Sequence, residues 1–353
     1  LSHSVSKRIK VRQMHPRTVF ESDIISIYST SKGAGRTTYA VNLSISLRRE
    51  TGKKVILLDM GSSHKETCRL LGVNPVNKSL NLKDASADLD YIKRHILRHY
   101  SGIEVLNILH VLKESKDERY IIPLLGLLTN EYHFIVIDLS FQMDEVVFKV
   151  LTQADDIHLI VDSEKPHLEA ASRLIEELNK SISNAKAKIK VIINKTKPDE
   201  ALLSEQRKEI LKNSVFANLP EMGTPGEEER LEAGPIIIRE PKSEYSRAIR
   251  RISRDTGNVL VGLALGSGAA LGLTQIGMIK VLESENIPID YVVGSSIGAL
   301  IGAFWVSGKN ARELENIALS FENKFVTLKL VDPALPRSGL MNGDGVVSFL
   351  KET

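Results

Sequence analysis

The sequence predicts an α/β protein built on parallel sheets, arranged as two successive domains. Three observations predict it. Short apolar runs rich in β-branched residues recur along the chain, as expected of strands buried on both faces. Segments with apolar residues at helical spacing separate them, so strand and helix alternate as they do in β-α units. Two glycine-rich loops, around Gly33 and around Gly268, each stand between a strand and a helix.

The elements follow in order. Residues 1–22 lack apolar periodicity and read as a basic linker. Asp23–Ser29 is strand-like, and Thr37–Arg49 is a helix with Ala40, Leu43 and Leu47 on one face. Lys54–Met60 is a buried strand. A less regular region follows, with a helix near Leu89–His99. His133–Leu139 and Ile157–Asp162 are further buried strands, and His167–Asn179 is a strongly patterned helix. Lys188–Lys195 and Val215–Leu219 complete the strands, and Ser243–Asp255 is a basic amphipathic helix that closes the first domain. A fresh strand–loop–helix unit starts at Val259. A helix runs to Leu282, a strand ends at Val293, and a further helix begins at Ala299. The boundary falls near residue 257, giving domains over 23–257 and 258–353.

Composition narrows the classes. The chain has 353 residues, 42% hydrophobic and 26% charged, which suits a soluble globular protein with more than one core. The net charge is +3, and the first twenty residues contribute +5 with no acid, so the remainder is slightly acidic. The basicity thus belongs to the leader and does not mark a nucleic-acid-binding body, so no nucleic-acid partner is expected. The leader reads as a solvated linker, or as a contact for an anionic membrane surface, where each basic residue adds ~1 kcal/mol. A single cysteine, Cys68, excludes a disulfide framework and fits a reducing compartment. The expected location is cytoplasmic, with peripheral membrane contact. Residues 256–279 carry no charge, but their glycines and polar residues dilute them below the ~20-residue apolar span of a membrane helix. A chain starting at Leu1 reads as part of a longer protein.

The first glycine loop is Thr30-Ser31-Lys32-Gly33-Ala34-Gly35-Arg36-Thr37-Thr38. Glycines let backbone N–H groups approach phosphates, and the following helix adds its positive end. Lys32, Gly33, Gly35, Arg36, Thr37 and Thr38 are therefore candidate nucleotide-binding residues, and the Thr37 hydroxyl is a candidate Mg²⁺ ligand. An ordinary phosphate loop has Gly first and Lys beside the Thr; here Thr30 and Arg36 stand in those places. Arginine presents a planar fork where lysine presents a point charge. With the strand ending in Asp59 and the later HFIVIDLS, residues 23–256 resemble the MinD/ParA family of deviant Walker ATPases. The resemblance implies ATP and Mg²⁺ as cofactors, a catalytic role for Asp59, support of Mg²⁺ by Asp138, and a homodimer through this domain. The family's signature lysine falls at Ser31, with Lys32 one place later. Three outcomes stay open: a retained fold without nucleotide, binding with little hydrolysis, or ATPase activity.

The second loop is Gly266-Ser267-Gly268-Ala269-Ala270-Leu271-Gly272, and one unit later comes Gly294-Ser295-Ser296-Ile297-Gly298. A serine on a tight strand-to-helix turn exposes its hydroxyl, and small residues on both sides avoid clashes there. A glycine loop beside it can aim N–H groups at a developing oxyanion, each worth about 3–4 kcal/mol in the transition state. Either motif alone is weak; together they resemble patatin-like phospholipases over 259–353. The resemblance implies Ser296 as nucleophile, elbow glycines Gly294 and Gly298, and an oxyanion loop at Gly266, Ser267, Gly268 and Ala269. It also implies a Ser-Asp dyad without histidine, no cofactor, and a phospholipid or lysophospholipid substrate. The family has Gly in place of Ser267 and Arg in place of Leu271. The dyad aspartate is expected beyond this chain, and Asp344 is expected to cap a helix instead. The combined expectation is a serine lipid acyl hydrolase with an upstream regulatory nucleotide-binding-like module. The alternative is a nucleotide-switched binding or scaffold protein with an inactive hydrolase domain.

Overall fold

The computed structural model describes residues 21–61, 64–74, 79–84, 88–109, 118–197, 204–222 and 234–320. The basic leader up to residue 20 and the segment holding Asp344 lie outside them. The chain divides into two compact units between Val259 and Leu260.

The first unit holds a nine-stranded sheet: β1 (Asp23–Tyr28), β2 (Val55–Asp59), β3 (Ser79–Asn81), β4 (Leu97–Arg98), β5 (Glu104–Leu109), β6 (Phe134–Asp138), β7 (Asp156–Val161), β8 (Ile189–Thr196) and β9 (Val215–Pro220). Its order is β3-β5-β2-β6-β1-β7-β8-β9, with β4 antiparallel on β5 and every other pair parallel. The central strands β2 and β6 are buried at every residue, as continuous apolar runs require.

Helices cover both faces. α1 (Arg36–Thr51) follows β1, and nine consecutive residues from Tyr39 to Leu47 are buried. The spacing of Ala40, Leu43 and Leu47 suggested one buried face; the helix is enclosed on all sides instead. Its small residues permit this, and two of its buried polar side chains are paired: Ser44 Oγ donates to Ala40 O, Asn42 Nδ2 donates to Thr38 O, and Asn42 Oδ1 accepts from Ile237 N–H. α2 (Glu244–Thr256) lies against α1, capped by Ser243 Oγ on Ser246 N–H and tied by Arg254 to Glu50 at 3.1 Å.

Two departures from the sequence reading lie between 89 and 128. The helix begun at Leu89 ends at His95, because Ile96 is extended at φ −73°, ψ 130° and leads into β4. The irregular region also contains β5, which pairs with β2 inside the sheet, and a helix over Glu118–Leu128 that carries Pro123.

The second unit has β10 (Gly262–Leu265) and β11 (Tyr291–Gly294), paired in parallel. α3 (Gln275–Ser284), α4 (Ile297–Val306) and α5 (Ala311–Ser320) follow, with a 3-10 turn over Ala269–Thr274. Its core joins Leu265, Ile276, Ile279, Ile301, Phe304 and Leu314. No helix among the described residues is long and apolar enough to cross a membrane.

Candidate functional site

In the first unit, register assembles the site. Ile27 of β1 is opposite Asp138 of β6, and Asp138 is opposite Asp59 of β2. Three adjacent strands therefore bring Asp59, Asp138 and the loop after β1 to one carboxyl edge, where ligands of open parallel sheets sit. Gly33 and Gly35 take φ of +81° and +90°. A Cβ on Gly35 would lie 2.3 Å from Asn194 Nδ2, so the position requires glycine for space as well as angle. Asn194 Nδ2 donates to Ala34 O at 2.7 Å, and Lys195 Nζ donates to Gly33 O at 2.9 Å. These two side chains from the end of β8, which the sequence did not single out, hold the loop's carbonyls. The N–H groups of Ala34, Gly35, Arg36 and Thr37 donate to no acceptor among the described residues. At the start of a 16-residue helix, that is an anion-binding arrangement. Lys32 is exposed on the loop, and Ser31 is buried.

Arg36 does not lie free along this loop. Its Nε donates to Asp138 Oδ1 at 2.5 Å, while the Thr37 hydroxyl donates to Asp138 Oδ2 at 2.7 Å. Burial raises the Asp138 pKa; Arg36 opposes the rise, and Asp59 adds to it. Asp59 Oδ1 accepts the Gly61 N–H at 2.9 Å. This donor set does not fit Mg²⁺ as it stands. Mg²⁺ needs near-octahedral oxygen ligands, and here each Asp138 oxygen already accepts a hydrogen bond while a guanidinium stands against the carboxylate.

In the second unit, Leu265 is opposite Gly294, so the glycine loop and the elbow leave neighbouring strands at the same end. Ser296 sits at φ 53°, ψ −125°, immediately before α4, and is exposed. This conformation, unusual for a residue with a side chain, is the strained turn that presents a hydroxyl at a helix start. Gly294 and Gly298 are required by backbone approach. A Cβ on Gly294 would meet Ala299 Cα at 2.5 Å, and one on Gly298 would meet Leu265 O at 2.5 Å. Gly272 sits against the Ile297 side chain, where a Cβ would lie 2.2 Å from Cγ2.

The glycine loop is fixed by Gln275, whose Nε2 donates to Gly266 O at 2.7 Å. Ser295 N–H donates to Leu265 O at 3.0 Å, which pins the elbow to the strand beside it. The N–H groups of Ser267 and Gly268 donate to no acceptor among the described residues. Ala269 takes a left-handed φ of 46°. Gly266, Ser267, Gly268 and Ala269 are all exposed, and so is Leu271 at 80%. Leu273, Ile276, Ile297, Leu300 and Phe304 line a small apolar crevice within the core of this unit.

No histidine occurs after His167. Asp290 is the sole aspartate between 260 and 320, and its carboxylate accepts the Val261 N–H at the far end of β11. It clips the two strands and does not face Ser296.

Comparison with known proteins agrees with both halves. Residues 22–191 match the family model of an AAA domain, and residues 263–353 match that of patatin-like phospholipase. The neuropathy target esterase of Drosophila persimilis is 37% identical over 122 residues, covering 33% of this chain and 8% of that protein. The homologous esterase of Drosophila grimshawi is 38% identical over 112 residues, covering 31% and 7%. The chain thus spans under a tenth of these relatives. Among solved structures, a ParA family ATPase from Chlorobium tepidum is similar at TM-score 0.55 and 18% identity, covering 66% of this chain and 98% of its own. The MinD cell division protein of Aquifex aeolicus is similar at TM-score 0.55 and 21% identity, covering 67% and 97%. These likenesses establish the fold of the first unit. Residues 22–191 thus match the AAA domain family model and residues 263–353 that of patatin-like phospholipase, and the first unit has the fold of ParA and MinD.

Proposed function

We propose that the protein is a serine lipid acyl hydrolase, acting on phospholipid or lysophospholipid, with a nucleotide-binding module upstream. The observation that carries the reading is Ser296 at φ 53°, held by two glycines that admit no Cβ, beside a loop with unpaired N–H groups. In this mechanism the Ser296 hydroxyl attacks the ester carbonyl and passes its proton to an aspartate that is not among the described residues. The carbonyl oxygen, now negative, is received by the Ser267 and Gly268 N–H groups. Collapse expels the alcohol and leaves an acyl-serine, which water hydrolyses to free fatty acid. Exposed Leu271 offers apolar contact to a lipid surface. Release of fatty acid from lysophosphatidylcholine by the full-length protein, absent in Ser296→Ala, is the expected outcome. Equal release by both would remove Ser296 from the reaction.

The loop after β1 is read as a site for nucleotide phosphates, and a homodimer through the first unit belongs to the same reading. The unpaired N–H groups from Ala34 to Thr37 support the phosphate site.

A further inference from the structure

The fold family of the first unit couples nucleotide binding to a divalent cation, yet this chain's own residues stand in the cation's way. A dication at this edge would need the Thr37 hydroxyl oxygen and the neighbourhood of Asp138. The Thr37 hydroxyl gives its proton to Asp138 Oδ2 and keeps its lone pairs, so the obstacle is the Arg36 guanidinium seated on Asp138 Oδ1. The Arg36 side chain is only 14% exposed, so its positive charge sits inside the site rather than in solvent. A second cation there would be repelled at close range in a poorly screened environment. Only Nε of the guanidinium is engaged; the two terminal nitrogens donate to no acceptor among the described residues. They belong to the first residue of α1, beside the unpaired N–H groups of the loop. One face of the guanidinium thus neutralises the carboxylate while its other nitrogens are free to meet a phosphate oxygen, a bidentate use that suits arginine and not lysine.

We propose that Arg36 takes the place of Mg²⁺, so that this loop binds the phosphates of a nucleoside di- or triphosphate without a divalent cation. Asp138 acts as a positioning residue: it orients the guanidinium instead of carrying a metal. The inference rests on the reading of the loop after β1 as a phosphate site, and it is independent of Ser296 chemistry.

The test is equilibrium binding of ATP and ADP to the full-length protein by calorimetry, with excess EDTA and then with excess Mg²⁺. The wild type is expected to bind with affinities that agree within about threefold in the two conditions. Arg36→Lys removes the guanidinium from Asp138 Oδ1, and is expected to bind at least about tenfold more tightly with Mg²⁺ than with EDTA. Arg36→Ala is expected to lose binding in both. Thermal unfolding of each variant confirms that the unit is folded, and Arg36→Lys keeps the comparison usable if Arg36→Ala is not. Wild-type binding that requires Mg²⁺ overturns the proposal and leaves the phosphate site standing, whereas no wild-type binding in either condition overturns both.

Discussion

Ser296 carries a cost that its neighbours impose. A residue with a Cβ at φ 53°, ψ −125° is strained, typically by about 1–3 kcal/mol. Removing the Cβ relieves that strain, although glycine also widens the unfolded ensemble and offsets up to about 1 kcal/mol of the gain. Ser296→Gly is therefore expected to stabilise the second unit by about 1 kcal/mol, and Ser296→Ala to leave it near wild type. Urea unfolding of both variants measures this. A Ser296→Gly protein less stable than Ser296→Ala would mean that the turn is not strained. The same scale separates what the sequence could show from what it could not. Gly294, Ser296 and Gly298 were legible, because a tight strand-to-helix turn dictates residue types at fixed spacing. Gln275, Asn194 and Lys195 were not. Each braces a loop through one hydrogen bond to a carbonyl, and no local pattern marks such a contact.

At the scale of elements, α1 and β7 meet through an unusual pair. The Tyr39 hydroxyl and His158 Nδ1 share a hydrogen bond at 2.7 Å, both side chains fully buried. His158 Nε2 has no hydrogen-bond partner among the described residues. Burial pushes the His158 pKa down to about 3, with Lys190 lowering it further and Asp255 opposing. The folded-state value thus lies below the unfolded value of 6.5. Between the two, the unfolded chain binds a proton that the folded chain refuses, so stability is full above 6.5 and is lost as pH falls. The slope is about 1.4 kcal/mol per pH unit, giving a loss of about 2 kcal/mol between pH 7 and about 5 from this group. The variant Tyr39→Phe/His158→Leu removes both polar partners together and is expected to lose that share of the slope. Unfolding midpoints measured across the pH range check it; an unchanged slope in the double variant would assign the acid sensitivity elsewhere.

The elements themselves were unevenly legible. Strands such as Phe134–Asp138, buried on both faces, appear as uninterrupted apolar runs and were found within a residue or so. β3 has only three residues, and the helix over Glu118–Leu128 contains Pro123, so neither carries a clean period. β5 was hidden by buried Asn107, which interrupts its apolar run and is accommodated against Cys68. The pairing of Arg36 with Asp138 depends on the register of β1 against β6, across 102 residues of chain, and no reading of neighbouring residues reaches it.

At the scale of the whole molecule, two parallel-sheet units solve the same problem in different chemistry. Each takes neighbouring parallel strands, lets a glycine loop leave from the carboxyl end, and starts a helix there. In the proposed function, the unpaired N–H groups of the first loop receive a phosphate beside an arginine–aspartate pair, and those of the second receive an oxyanion beside a strained serine. The fold of both was legible because alternation of buried strands and helices is a property of long stretches, which local accidents do not erase. The central claim is that Ser296 is an activated nucleophile. Its most direct test is labelling of the full-length protein with a fluorophosphonate ester, read by mass spectrometry of the modified peptide. Stoichiometric label on Ser296, absent in a folded Ser296→Ala variant, is the predicted result. A folded protein that takes up no label, or takes it up on another serine, would contradict the account.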